Sequence, residues 1–278
     1  MNVSIIMPCY NAAATLEESI QSVLNQTFAA FELILIDDGS CDATRSIMEW
    51  YQSLDSRIRV LYNQENRGVS YTRNFGVREA RYEWIALLDG DDCWSPDKLE
   101  KQALTIEKNP GCALFFTGSC FMTFSGERSG YIFHAKHRVT YQDLLYQNLI
   151  PCSSVMVKRE ALLKHPMNEA YAVGEDYITW LQILKEYGYA VGLDEPLLIY
   201  RMSSQNLSRS KIRSARIQWR TYRKYIHLPF LKSCYFFSNY ALRNLKKYMG
   251  IKFQKASVPG IFAQEEMKRA DEESKTAT

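Results

Sequence analysis

The sequence predicts an α/β fold with a Rossmann-like, mostly parallel sheet, followed by a basic helical extension at the C-terminal side. Three observations carry this reading. Short apolar runs alternate with helical patterns through the first half of the chain. Two runs, residues 33–36 and 84–88, are continuously apolar, as strands covered on both faces are, and each stops abruptly at acids. Charge is divided along the chain: residues 1–195 hold 17 Lys/Arg against 26 Asp/Glu, whereas residues 196–264 hold 14 basic residues and no acid.

In chain order, residues 3–7 form a first strand, and Leu16, Ile20, Val23 and Leu24 mark a helix. A strand at 31–36 leads to a helix at 42–54 with Asp42 as its cap. Residues 57–62 are a strand, 69–80 a helix and 84–88 a strand. Ser95-Pro96 opens the next helix as a cap followed by proline. Beyond Cys112 come strands at 113–116 and 120–124, a Ser125-Gly126 turn, and strands at 131–133 and 153–157. Helices at 160–165 and 175–187 follow, then a last strand at 197–200. The catalytic body is therefore residues 1–205 and the helical extension 206–254. Residues 255–278 are polar and expected to be disordered.

The 278 residues can bury a sizeable core. Seven cysteines, an odd number with no C-x-x-C pair, fit neither a disulfide framework nor zinc spacing and favour a reducing cytoplasm. The first eight residues lack a basic lead-in and read as a strand, not a signal peptide. No apolar stretch is long enough to span a bilayer.

The acids that end the two buried runs are Asp37-Asp38-Gly39-Ser40 and Asp89-Gly90-Asp91-Asp92. Ligands of open α/β sheets bind outside the carboxyl ends of the strands. Two acidic clusters there are unfavourable unless a cation lies between them. A divalent ion bridging to a diphosphate answers that need, because Mg²⁺ takes one or two carboxylates and completes its shell with phosphate oxygens and water. Either cluster alone reads equally well as a helix cap or an Asp-Gly turn; the pair at strand ends of one sheet favours the site. Spacing from Asp38 to Glu49 approaches a calcium loop, but Ala43 stands where that loop needs glycine. Neither a G-x-x-x-x-G-K loop nor G-x-G-x-x-G is present, which removes the support for kinase and dehydrogenase readings.

Met7-Pro8-Cys9-Tyr10-Asn11, Asp37-Asp38-Gly39-Ser40, Asn66-Arg67-Gly68, Thr72-Arg73-Asn74-Phe75-Gly76, Leu88-Asp89-Gly90-Asp91-Asp92 and Gly174-Glu175-Asp176 together resemble family-two glycosyltransferases in order and spacing, over about residues 1–200. The resemblance implies the nucleotide-diphospho-sugar transferase (GT-A) fold, an inverting mechanism and a UDP-sugar donor. It implies that Pro8 and Tyr10 line the base pocket, Asp38 meets the uracil, Arg73 the nucleotide and Asp89 the ribose. It assigns Asp91 to a Mn²⁺ or Mg²⁺ on the diphosphate, with Asp92 beside it and Asp37 and Glu175 as secondary candidates. Asp176 becomes the general base. Read alone, Asp176 is also an ordinary acid at a helix start, where the dipole favours it. Trp180 is a candidate platform for an acceptor sugar, with core packing as its other reading.

Two amphipathic helices are expected beyond Ser208, with Arg209, Arg213, Arg216, Arg220 and Arg223 along one face of the first. Nucleic acid, an anionic membrane and the acidic body are the possible partners. Aromatic residues among the basic ones favour the membrane over nucleic acid, through residues 209–252. The expected setting is the cytoplasm, peripheral to the inner face of the cell membrane, in surface-polysaccharide assembly (O-antigen, capsule or exopolysaccharide) on an undecaprenyl-diphosphate-linked glycan. The absence of Q-x-x-R-W predicts one sugar added per acceptor. Alternatives are a sugar-nucleotide pyrophosphorylase, which needs a glycine-rich loop with lysine that residues 8–14 lack, and a non-catalytic nucleotide-sugar binding protein.

Overall fold

The computed structural model describes residues 1–123, 126–170, 174–202 and 211–250. Its elements are β1 (Val3–Cys9), α1 (Leu16–Leu24), β2 (Phe31–Asp37), α2 (Thr44–Leu54), β3 (Ile58–Tyr62), α3 (Val69–Glu79), β4 (Trp84–Leu87), β5 (Cys93–Trp94) and α4 (Lys98–Lys108). There follow β6 (Leu114–Thr123), β7 (Arg128–Phe133), β8 (Arg138–Thr140), α5 (Tyr141–Tyr146), a 3₁₀ turn at Cys152–Ser154, β9 (Met156–Lys158), α6 (Arg159–Lys164), α7 (Glu175–Tyr187) and β10 (Tyr189–Met202). The extension comprises α8 (Lys211–Arg220), a π-helical turn at Thr221–Tyr225 and α9 (Phe230–Gly250).

One mixed sheet runs in the order β3-β2-β1-β4-β9-β6-β10-β5, with β7 on β6 and β8 on β10. Strands β3, β2, β1 and β4 are mutually parallel and form the Rossmann-like half. The short β9 is antiparallel to both β4 and β6, while β6 and β10 run parallel. Every residue of β2 is buried, as its continuous apolar run requires. Ile5, Leu33 and Leu35 face one side, packing with α1, α2 and α4. Ile6, Ile34 and Ile36 face the other, packing with α3, α6 and α7. This alternation is the period of two that a sheet covered on both faces imposes. Gly76 lets α3 sit close on the sheet, since a Cβ there would lie 2.6 Å from Ile6 and 2.7 Å from Ile36.

Several expected boundaries move. Helix α2 begins at Thr44, with Asp42 one residue before its cap and accepting from the Thr44 amide at 3.0 Å. Helix α4 begins at Lys98, because Ser95 accepts the Lys98 amide in a preceding turn. The strands expected at 113–116 and 120–124 are one strand through Gly118, where a Cβ would lie 2.9 Å from the carbonyls of Glu195 and Phe133. Glycine there marks a close approach and not a break. Strand β10 starts at Tyr189 because the polar, proline-bearing segment before Leu198 is a bulge within it. Residues 152–154 form a turn before the three-residue β9. The short β5, β8 and α5 had no expected counterpart; α5 is fixed by a capping box between Thr140 and Asp143. Phe124, Ser125, Arg209 and the tail at 255–278 lie outside the described residues.

The extension packs on the body through its aromatic and amide face. Tyr222 is fully buried and donates its hydroxyl to the Leu145 carbonyl. Gln218 donates to the Tyr177 hydroxyl at 3.0 Å, and Phe236 joins the core beside Tyr146. Among the described residues, no helix is long and apolar enough to cross a membrane.

Candidate active site

The carboxyl ends of β1, β2 and β4 and the start of α7 converge on one cleft. At its outer end a hollow of about 510 Å³ is lined by Pro8, Tyr10, Asp38, Arg67, Ser70 and Glu169, among others. Tyr10 is exposed over it, while Asp38 is buried at its base. One Asp38 oxygen accepts from Asn63 Nδ2 at 2.7 Å and the Arg67 amide at 2.9 Å; the other accepts from the Gly68 amide at 2.9 Å. Asp38 thus fixes the Asn66-Arg67-Gly68 loop that walls the hollow. Gly39, at φ +78°, is required by the same contact, since a Cβ would lie 2.8 Å from the Asn66 amide. Asp37 is turned away: it is fully buried, ion-pairs with Arg45 at 2.9 Å and accepts the Ser40 amide at 3.1 Å. It holds the turn after β2.

Further in, Arg73 projects from α3 and spans two acids. Its guanidinium reaches Asp89 at 2.5 Å and Glu175 at 2.9 Å, with side-chain exposures of 4% for Arg73, 32% for Asp89 and 10% for Glu175. The Arg73 Nε is buried without a partner. This bridge joins the end of β4 to the first turn of α7, and Asp176 follows Glu175 directly. Asp176 accepts its neighbour's amide, from Tyr177, at 2.7 Å. Burial, and then repulsion from Glu175, push the Asp176 carboxyl up to about 7. Gly174, left-handed at φ +84°, starts this helix.

The Asp89-Gly90-Asp91-Asp92 turn is bound by Thr15 on one side and Arg201 on the other. Thr15 donates its hydroxyl to the Gly90 carbonyl at 2.9 Å. Arg201, near the end of β10, donates Nε–H to the Asp91 carbonyl at 2.8 Å, and its amide donates to Asp92 Oδ1 at 2.9 Å. The same guanidinium pairs with Glu18 of α1. Burial, and then the Asp89 charge, push the Asp91 carboxyl up to about 6. Burial, then Asp91 and Asp89, raise Asp92 well above the carboxylate range, and its Oδ2 is buried without a partner. The turn is a concentration of negative charge lacking enough cation, the condition a divalent ion relieves. No group of three or more ligating side chains occurs among the described residues. One or two carboxylates with diphosphate oxygens suffice for Mg²⁺, so the donor set fits that ion.

The structure therefore brings Arg73, Asp89 and Asp176 into one electrostatic neighbourhood, beside Asp91. Asp37 and Glu175 point into ion pairs. Trp180 is a correction: it is fully buried among core residues and offers no face to a sugar. The apolar residues around it on α7 outweigh any advantage of exposing an indole. Arg201 and Asn63 were not among the expected site residues, being single polar residues at strand ends without a motif around them. The exclusive run of basic residues from Pro196 onward was the only signal near Arg201. His134, just after β7, pairs with Asp194 of β10 at 3.0 Å.

A parallel half-sheet with an acidic turn after its fourth strand and a carboxylate opposite is the nucleotide-diphospho-sugar glycosyltransferase arrangement. Solved structures agree on the fold. Staphylococcus aureus TarS 1–349 in complex with UDP-GlcNAc aligns with TM-score 0.68 and 18% identity, over 88% of this chain and 73% of that one. The mannosyltransferase PcManGT from Pyrobaculum calidifontis, in complex with GDP-Man and Mn²⁺, aligns with TM-score 0.64 and 17% identity over 97% and 79%. The chain belongs to glycosyl transferase family 2, whose pattern matches residues 4–165. It is 38% identical over 245 residues to a Bacillus subtilis protein named as the teichuronic acid biosynthesis glycosyltransferase TuaG, covering 88% of this chain and 96% of that one. It is 36% identical over 248 residues to the Escherichia coli UDP-Glc:α-D-GlcNAc-diphosphoundecaprenol β-1,3-glucosyltransferase WfgD, covering 88% and 94%. It is a glycosyltransferase of the kind found in bacterial cell-surface polysaccharide biosynthesis.

Proposed function

We propose that the chain transfers one sugar, with inversion, from a UDP-sugar to a hydroxyl of a glycan carried on undecaprenyl diphosphate. The observation that carries this reading is the Arg73 bridge, which ties the donor-side acid Asp89 to the helix that presents Asp176. The likeness to WfgD, named for a UDP-glucose donor and a diphosphoundecaprenol acceptor, supports the choice of both substrates.

In this reading Pro8 and Tyr10 enclose the base, and Asp38 meets the uracil while holding the loop that closes its pocket. Asp89, aimed by Arg73, takes the ribose. Asp91 holds a Mn²⁺ or Mg²⁺ ion, and Asp92 and Arg201 fix the turn that presents it. When bound, that ion acts as a Lewis acid for the departing diphosphate. Asp176 accepts the proton of the attacking hydroxyl, on the side of the sugar away from the leaving group. Its raised proton affinity suits a base working near neutrality. In this reading the enzyme works in the cytoplasm, and the basic extension holds it peripherally at an anionic membrane surface, where the lipid-linked acceptor lies.

The test is turnover of purified protein with Mn²⁺ or Mg²⁺ on a panel of UDP-sugars and a GlcNAc-diphospho-lipid acceptor. The product's anomeric configuration is read by proton NMR. Release of UDP with a β-linked product from an α-linked donor is expected. A retained anomeric configuration would reject inversion, and turnover of GDP-sugars alone would reject the donor class.

A further inference from the structure

The inner edge of the extension lies against the catalytic helix. Gly174, two residues before Asp176, sits so close to α8 that a Cβ would be 3.4 Å from Ile217 Cγ2. Gln218 bonds the hydroxyl of Tyr177, the residue after Asp176. With Ile217, Gln218, Thr221 and Tyr222 turned to the body, the neighbouring face of α8 lines a separate hollow. Ala215, Trp219 and Phe237 give it apolar walls, Arg216 and Arg220 flank it, and its volume is about 470 Å³. Trp219 meets Phe237 edge-on at 5.4 Å and Phe230 at 6.1 Å.

Arg216 and Arg220 are four residues apart, so their like charges are stacked on one helix face, about 6 Å apart along its axis. That placement is unfavourable by itself, and neither has an acidic partner among the described residues. Both are exposed, and the sequence from 196 to 264 contains no acid to neutralise them. An apolar trough flanked by two uncompensated guanidinia suits a ligand with a diphosphate and a hydrocarbon chain. From the trough, α9 continues with Phe230, Leu231 and Tyr235 exposed, Leu231 to 81%.

We infer that this hollow is the binding site for the isoprenoid diphosphate of the acceptor. Arg216 and Arg220 bind the diphosphate, Trp219 and Phe237 seat the first isoprene units, and the chain leaves along the apolar edge of α9. The hollow is on α8, whose inner residues Ile217 and Gln218 contact Gly174 and Tyr177 on either side of Asp176, so an acceptor anchored there is held on the helix that packs against the base's own helix. This rests on the lipid-linked acceptor reading above and adds where the lipid is held.

The test compares two acceptors carrying the same GlcNAc-diphosphate, one on undecaprenol in detergent micelles and one on a methyl group. In full-length protein, the double variant Arg216→Ala/Arg220→Ala should raise KM about tenfold or more for both, with kcat and donor KM unchanged. Trp219→Ala should raise KM for the undecaprenyl acceptor only. Unchanged undecaprenyl KM in both variants, with unfolding midpoints like the parent's, would overturn the site. So would an equal effect of Trp219→Ala on both acceptors. Binding of farnesyl diphosphate, followed by quenching of Trp219 fluorescence with Trp219→Phe as control, tests the site without turnover. If the parent protein turns over neither acceptor yet binds farnesyl diphosphate in an arginine-dependent way, the site stands and the acceptor reading fails. If the arginine variants lose only binding to phosphatidylglycerol vesicles, the surface serves a bilayer and the site is refuted.

Discussion

Arg73 is the residue on which the two halves of the site depend, and its removal has a computable consequence. Its guanidinium and the Glu175 carboxylate are 2.9 Å apart and nearly excluded from water. Deleting one member of such a pair strands a buried charge, at a cost of about 3–5 kcal/mol. The Asp89 arm is about a third exposed; solvent screens it, so it adds little to that figure. Arg73→Met should therefore destabilise by about 3–5 kcal/mol, lowering the melting temperature by roughly 6–20 °C for a chain of this size. Glu175→Gln keeps an acceptor but removes its charge, and should cost about 1.5–3 kcal/mol. In the double variant no stranded carboxylate remains, so its cost should fall below the sum by about 1–3 kcal/mol. Urea unfolding of the four proteins, followed by far-UV circular dichroism, measures that coupling. Additivity to within about 0.5 kcal/mol would refute the bridge.

The Asp176 carboxyl, pushed up to about 7 by burial and by Glu175, is protonated below that pH. With Asp176 as the proposed base, kcat/KM should fall about tenfold per unit as pH drops below 7, read from a pH–rate profile. A profile flat from pH 8 to 5 would contradict this. Gly39→Ala forces a side chain into a left-handed turn and against the Asn66 amide. It should cost about 1–3 kcal/mol and weaken UDP affinity by calorimetry, because Asn66 borders the hollow proposed for the nucleotide base. Tyr222→Ala removes a fully buried ring and its bond to Leu145. It should destabilise by about 3–5 kcal/mol and make the peptide bonds of α8 and α9 susceptible to limited proteolysis. An extension that only floats beside the body would show neither effect.

The parallel half of the sheet was legible because both of its determinants are local. Continuous apolar runs such as Leu33-Ile34-Leu35-Ile36 admit only a strand covered on two faces, and helical spacing between them supplies the covering. The second half was less legible because long-range packing decides it. Gly118 and Pro196 look like breaks from their neighbours alone, yet each lies inside a strand whose partners are far away in sequence. The acids of the site were readable as clusters, but their division of labour was not. Asp37 and Asp38 are adjacent and chemically identical, and only the strand's alternation turns one to Arg45 and the other to the Arg67-Gly68 loop. Trp180 and Arg201 show the same limit in opposite senses. Of the two readings open for Trp180, sugar platform and core packing, the fold takes the core, and a lone arginine became the clamp on the acidic turn.

Asp176→Asn separates the proposed proton acceptor from the donor site beside it. The amide keeps the shape and can still accept the Tyr177 amide, so folding and UDP affinity should match the parent protein. Transfer to the GlcNAc-diphospho-lipid acceptor should fall by about 10²–10⁴ in kcat. A variant that binds UDP normally and transfers sugar at the parent rate would contradict the account.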